Sequence, residues 1–584
     1  MKILLLLLQT QKAGKGGHDP LKGSLVNPDP SLPYLSSTRL PFDGIKEILV
    51  KKSPPIALLL SLLVSLAALG ADTPPAGDPV EGLWLGTAGT ERDKIVVGLD
   101  FRRDAQGALK LFLTQPISNY FAAETGTVRR EGDQVILDEM ALSLRLQGDR
   151  LEGTYPGPNS PASFQRATEL PAAAPIPDVP AGPATAWQTR LNGQIFASPV
   201  VVDGKVYIGT TGGVFNAVDA RTGKILWAFA AGRPILGTAL VTADAVFFTC
   251  DNGYLFRLRR DDGKEVWRYD LGDSRVSRVL GHPQVFDWDW HGATPALADS
   301  VLYVGSGDGG FHAVDAASGA RRWRFAAGGP VRGGAAISGE RVVFGSADHF
   351  VYTLDRATGK ELWKHDTGAA VEDQQLIAGD RVFIGNRGGG LYALALATGE
   401  RLWKTFFWGS WVESTPVLAN GVLYIGSSDL RRVSAIAPED GRVLWRTDVY
   451  GWTFGKPLLV GDRIFVGAAG GEPYFIHHVA SFSMLDRATG KLLRRYPMPE
   501  VPGAHQWGIA GSPALAGELV VVSTIQGVLM AFPVGVGQLK CPFNAERILE
   551  EDRSNRAGRQ QGEPYTPFPA QWPVLSTSNT RLPQ

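Results

Sequence analysis

Cysteine is almost missing: Cys250 and Cys541 are the whole supply in 584 residues. Two thiols cannot build a disulfide scaffold, a cysteine-rich zinc module or an iron–sulfur cluster. Neither sign of charge is in excess, with 58 basic against 58 acidic residues, so no field draws the chain to nucleic acid or to an anionic membrane. No apolar run reaches the ~20 residues of a membrane-spanning helix; the run at 56–69 has 14. Walker A, G-x-S-x-G and H-E-x-x-H signatures are absent as well,. What is plentiful is glycine, at 70 residues, and tryptophan, at 15. Together they imply a packed chain with many tight turns.

The apolar run follows Lys51 and Lys52 and ends in the small residues Ala68, Gly70 and Ala71. This predicts a secretory signal at 51–71, cut near Gly70 or Ala71. No cysteine follows it, so no lipid anchor is expected, and the mature chain is expected in the bacterial periplasm or outside the cell. Because such signals open a chain, translation is expected to start at Val50, with 1–49 a spurious extension. Residues 79–168 alternate short apolar runs with turn signals, as around Trp84 and in the alternation of Leu142, Leu144 and Leu146. They read as a small β barrel or sandwich of about eight strands. Five prolines in 169–186 predict an extended, semi-rigid spacer, and 536–584 reads as a loose polar tail.

From Trp187 the chain repeats itself. Asp219-Ala-Arg-Thr-Gly-Lys-Ile-Leu-Trp227 recurs at 315–323 and 355–363, and more loosely before Trp267, Trp403 and Trp445. Tryptophans at 187, 227, 267, 323, 363, 403 and 445 are spaced 40, 40, 56, 40, 40 and 42 apart. A period near forty made of strand-like segments predicts a propeller of four-stranded blades. Asp in the Asp-x-x-Thr-Gly stretch bonds the backbone ahead, and the glycine supplies a positive φ. Each repeat tryptophan is expected to begin an outer strand and wedge against the next blade. Burying it contributes roughly 4–6 kcal/mol as an upper bound. The inner strands count to eight. The seventh blade carries Arg494 where tryptophan is expected, and the eighth lacks an outer strand, which the segment at Trp187 is expected to supply, closing an eight-bladed all-β ring over 187–535 without exposed edges.

These repeats resemble the pyrroloquinoline-quinone-like propellers, which include quinoprotein alcohol and glucose dehydrogenases and the propeller subunit of the outer-membrane protein assembly machinery. The resemblance implies export. It also implies two alternative roles, a binding scaffold or a quinone-dependent oxidase of alcohols or sugars.

Chemistry is expected where the repeat breaks. The interval of 56 marks an insertion ending Asp287-Trp288-Asp289-Trp290-His291, and other links between blades carry Trp408, Trp411, Trp452, His505 and Trp507. These groups are expected at one end of the axis, either as a binding mouth or as a plug. Three residues before the inner-strand proline, or its equivalent, the blades read Phe196, Leu236, Gly292, Arg332, Glu372, Glu413, Phe454 and Ala510. Arg332, Glu372 and Glu413 therefore sit side by side, as a ligand or cation site or as an ion network. The dehydrogenase resemblance implies quinone and calcium held by Arg332, Glu372 and Glu413, with Asp287, Asp289 or Asp373 as base. Those enzymes commonly carry a vicinal disulfide beneath the quinone, and this chain has no adjacent cysteines. The favoured expectation is a non-catalytic scaffold without a cofactor, serving a protein or small-molecule partner. Gly305-Ser-Gly-Asp-Gly-Gly310 is read as a turn, the His477–His478 pair as surface or turn, and Cys250 as a core residue.

Overall fold

The computed structural model describes residues 77–534, apart from 91–93, 141, 157–159, 182–183, 273–290, 409, 472–476, 503 and 505. The expected signal at 51–71, the start at Val50, Cys541 and the tail at 536–584 lie outside the described residues, as do Asp287, Trp288, Asp289, Trp290 and His505. Both β domains, described from Gly82 onward, belong to one compact unit.

The first β domain is one antiparallel meander of nine strands, from Gly82–Ala88 to Pro161–Arg166. Sequence reading gave about eight; the short Arg129–Glu131 strand adds the ninth. Gly82–Ala88 pairs on both sides, with Ile95–Arg103 and with Pro161–Arg166. The sheet curls into a nearly closed barrel. Alternate side chains fill it, among them Trp84, Leu99, Leu111, Leu144 and Phe164, all fully buried, as a period of two requires.

Eight antiparallel sheets follow, each built on four strands; these run in sequence order except in the last, and the seventh carries a fifth strand, Gln506–Gly508. Their second and third strands are buried almost throughout, as in Lys205–Gly209 and Val214–Asp219, because neighbouring blades cover both faces. In the eighth blade, Val528–Pro533 pairs with Trp187–Arg190 from the beginning of the domain, in the register Trp187 to Ala531 and Arg190 to Val528. The ring is therefore eight-bladed and closed by its own first strand, as the repeat count implies.

Glycine and tryptophan hold adjacent blades together. In the turn after each third strand, Asp355 Oδ1 accepts from Thr358 N at 2.9 Å and Thr358 Oγ1 at 2.6 Å, and Gly359 takes φ +73°. The preceding blade's indole lies over that glycine. A Cβ on Gly359 would stand 2.7 Å from Trp323 Cδ2, and the same crowding recurs between Gly399 and Trp363 and between Gly263 and Trp227. The indole N–H then donates to a carbonyl of the same turn: Trp323 Nε1 to Arg356 O at 3.0 Å and Trp363 Nε1 to Leu396 O at 3.0 Å. The indole is the third residue of strands such as Ile225–Ala230, not the first as expected; only Trp187 opens its strand. Arg494 also has an explanation. The eighth blade borrows its outer strand, so no such turn exists there for a tryptophan to cover.

The described residues of the proline-rich stretch carry no helix or strand and touch the ring near its end. Arg495 N, in the outer strand of the seventh blade, donates to Pro180 O at 3.3 Å, and Ala181 packs on the apolar cluster of the last two blades. The barrel also sits on the ring. Its 3-10 turn Pro116–Ser118 ends at Asn119 in the left-handed region, φ 59°. Ser118 Oγ donates to Trp408 O at 3.0 Å, Asn119 Nδ2 to Leu430 O at 3.0 Å, and Arg431 Nη2 to Asn119 Oδ1 at 2.8 Å.

Candidate functional site

Links from an outer strand to the next inner strand bring one residue per blade to the axis. Seven of the eight positions read from the sequence, Phe196, Leu236, Gly292, Arg332, Glu372, Phe454 and Ala510, line a cavity of about 370 Å³. Glu413, the eighth, lies buried behind the wall. The cavity has two unlike sides. Blades seven, eight, one and two supply Phe454, Ala510, Phe196 and Leu236, backed by Trp452 and Ile525 in one apolar cluster. Blades three to five supply His291, Arg332, Glu372 and Asp373.

Behind the polar side lies a compact charge cluster. Arg387 stands on the turn between the second and third strands of the fifth blade and is 5% exposed. Its Nη2 lies 2.5 Å from Glu372 Oε2, its Nε donates to Glu413 Oε1 at 2.5 Å, and its guanidinium covers the Trp411 ring at 4.5 Å. His291 Nε2 lies 3.6 Å from Glu413 Oε1. Burial alone would raise the Glu413 carboxyl, but Arg387 and His291 outweigh it and hold the group down at about 2. Burial likewise opposes a charged His291, yet the bond to Glu413 and the nearby carboxylates leave it above its ordinary value. Asp373 goes the other way: burial, joined by the charges of Glu413 and Glu372, pushes it well above the carboxylate range against His291 and Arg387. Asp373 Oδ2 is buried with no hydrogen-bond partner among the described residues.

Of the tryptophans between blades, Trp408, Trp452 and Trp507 are buried and Trp411 is half-buried; none lines the cavity. Trp452 stacks on His478 with centroids 4.4 Å apart and donates from Nε1 to Asp429 Oδ1 at 2.9 Å. His478 is thus interior, while His477 is exposed. Trp507 lies on a short strand, Gln506–Gly508, paired with the end of Arg463–Gly471. Cys250 is buried, and burial pushes its thiol up to about 12. Sequence reading missed Arg387, which holds the turn position of Thr211, Asp251, Ala347 and Ser428 in other blades, each donating its N–H to the link before the inner strand; its signal is an arginine in that row.

The ligand atoms of His291, Glu372 and Glu413 lie within 4.8 Å of one another. That spacing suits a metal ion, but a guanidinium already bridges both carboxylates. Calcium takes six to eight oxygens, and this set offers two occupied carboxylates and an imidazole. Among the described residues this set does not fit a calcium ion.

A family model described as outer membrane protein assembly factor BamB matches residues 182–283, 252–410 and 397–541. The Yersinia pestis protein of that name is 31% identical over 144 residues, 24% of this chain and 35% of the relative. A quinone alcohol dehydrogenase subunit of Gluconacetobacter polyoxogenes is 28% identical over 145 residues, 22% of this chain and 19% of the relative. The match thus spans about a third of the length of the assembly-factor relatives. Among solved structures, BamB from Moraxella catarrhalis aligns with TM-score 0.46 and 17% identity over 59% of this chain and 96% of its own. Quinohemoprotein alcohol dehydrogenase from Comamonas testosteroni aligns with TM-score 0.48 and 14% identity over 62% and 77%. With three matched stretches running from 182 to 541 and an eight-bladed ring beneath them, the chain belongs to the family of outer membrane protein assembly factor BamB.

Proposed function

We propose that the chain is an exported, non-catalytic propeller scaffold. It presents its rims and the mouth of its channel to a protein or small-molecule partner in the bacterial periplasm or outside the cell. The observation that carries this reading is the Arg387 bridge. It bridges Glu372 and Glu413 from within the fold, so both carboxylates face a counter-charge that the chain itself supplies. Membership of an assembly-factor family supports a protein partner. In this reading Trp452 backs the apolar side of the mouth, and Arg332, Glu372 and Asp373 face what enters it.

The second reading, a quinone- and calcium-dependent dehydrogenase, draws on the close set of His291, Glu372 and Glu413 and on the quinone alcohol dehydrogenase relatives. Adding the quinone and calcium to purified protein, with absorbance and dye-linked alcohol oxidation as readouts, separates the two. The scaffold reading expects neither binding nor turnover at high micromolar quinone. Saturable quinone binding lost in Glu372→Gln and Glu413→Gln would reverse the order.

A further inference from the structure

The two-sided cavity selects a chemistry. Its apolar side offers the rings of Phe196 and Phe454 with Leu236 between blades, enough to desolvate a short hydrocarbon body, and aromatic faces attract cations. Its volume of about 370 Å³ falls in the range of small-ligand sites, about 300–1,000 Å³. On the polar side Asp373 Oδ2 has no hydrogen-bond partner among the described residues. The cations around Asp373 are committed elsewhere: Arg387 to Glu372 and Glu413, and His291 to Glu413. Arg332 shares the wall, and Lys456 lines another part of the cavity and is exposed.

We infer that this cavity binds a small primary or secondary alkylammonium, its N–H groups on Asp373 and its apolar body against Phe196, Leu236 and Phe454. The ligand must bring a donor as well as a charge, because a quaternary ammonium would leave Asp373 Oδ2 without a hydrogen bond, a costly state for a buried acceptor. A neutral alcohol of the same shape would leave the carboxylate without a counter-charge.

The inference gives a ligand class to the scaffold reading and rests on the cavity rather than on the rims. Isothermal titration of the full chain with 2-phenylethylammonium, its trimethylammonium analogue, 2-phenylethanol and phenylacetate tests it. Saturable binding of the first is expected, at least tenfold weaker for the other three and at least tenfold weaker in Asp373→Asn and in Phe454→Ala. Should Asp373→Asn fail to fold, the trimethyl analogue on the unaltered protein decides alone. No binding at millimolar 2-phenylethylammonium, equal binding of the trimethyl analogue, or tighter binding of phenylacetate would overturn the inference. Quinone-dependent turnover in the preceding assay would overturn the scaffold reading whatever the amines do.

Discussion

The indole of Trp363 fills the space into which a side chain at Gly399 would project: a Cβ there would stand 2.5 Å from Trp363 Cε3. Gly399 also holds φ +74°. Two independent constraints thus meet at one residue. Gly399→Ala should cost the backbone strain, about 1–3 kcal/mol, and a displaced ring besides. Gly379 makes the control, because it takes φ +60° with nothing within 4 Å of a built Cβ. Gly379→Ala should show the strain alone, and urea unfolding of both variants measures the difference. Equal losses would mean that the indole docks without needing the glycine.

Arg387 invites a double substitution. Arg387→Met takes the guanidinium from the buried Glu372 and leaves Glu413 to His291, which should cost about 3–5 kcal/mol. In a Glu372→Gln, Glu413→Gln background the same change should cost far less, because no charge is stranded. Denaturant titration of the four proteins yields the coupling, and a value near zero would show that the guanidinium is held by Trp411 rather than by the carboxylates.

The pH dependence of stability carries opposite signs at three groups. His291 has a raised pKa, so its contribution is complete below its ordinary 6.5 and is lost as pH climbs through the raised value,. Glu413 is depressed, so its contribution is present above 4.5 and is lost as pH falls through about 2. Asp373 is raised and burdens the fold increasingly once pH exceeds 3.8. His291→Gln should therefore flatten the decline in unfolding free energy above pH 6.5. Asp373→Asn should raise Tm at pH 7 more than at pH 4.

Asn119 is the knob by which the barrel seats on the ring, bonded to Leu430 O and to Arg431. Asn119→Ala removes these two bonds and a third, from Nδ2 to Asp429 O at 3.2 Å, and places a side chain poorly suited to φ 59°,. Amide exchange in 428–432 should quicken by roughly tenfold, as losing about 1.4 kcal/mol of local protection implies. Unchanged exchange would locate the seating elsewhere.

Regularities with a period were legible in the sequence, and contacts across that period were not. Seven tryptophans spaced near forty, one missing outer strand and one surplus strand at Trp187 specify the number of blades and the closure, since strand pairing leaves no other consistent arrangement. The row of residues before the inner strands also marks the axis. Yet the row does not reveal that Phe196 and Phe454 form the aromatic wall while Trp452 stands behind them. That depends on where each link folds back. Arg387 was hidden because a turn residue's reach across two blades has no one-dimensional trace, and the seating of Asn119 joins segments more than 300 positions apart.

Closure by Trp187–Arg190 has a kinetic consequence. Made from its amino terminus, the propeller exposes this segment first and satisfies it last, after some 340 further residues have been added. Until then its partner edge along Val528–Ala531 does not exist, and a foreign strand can compete for the unpaired backbone. Final assembly is a long-range event of high contact order, hence slow, and the time during which the first strand must be shielded is set by synthesis rather than by the energetics of the finished molecule.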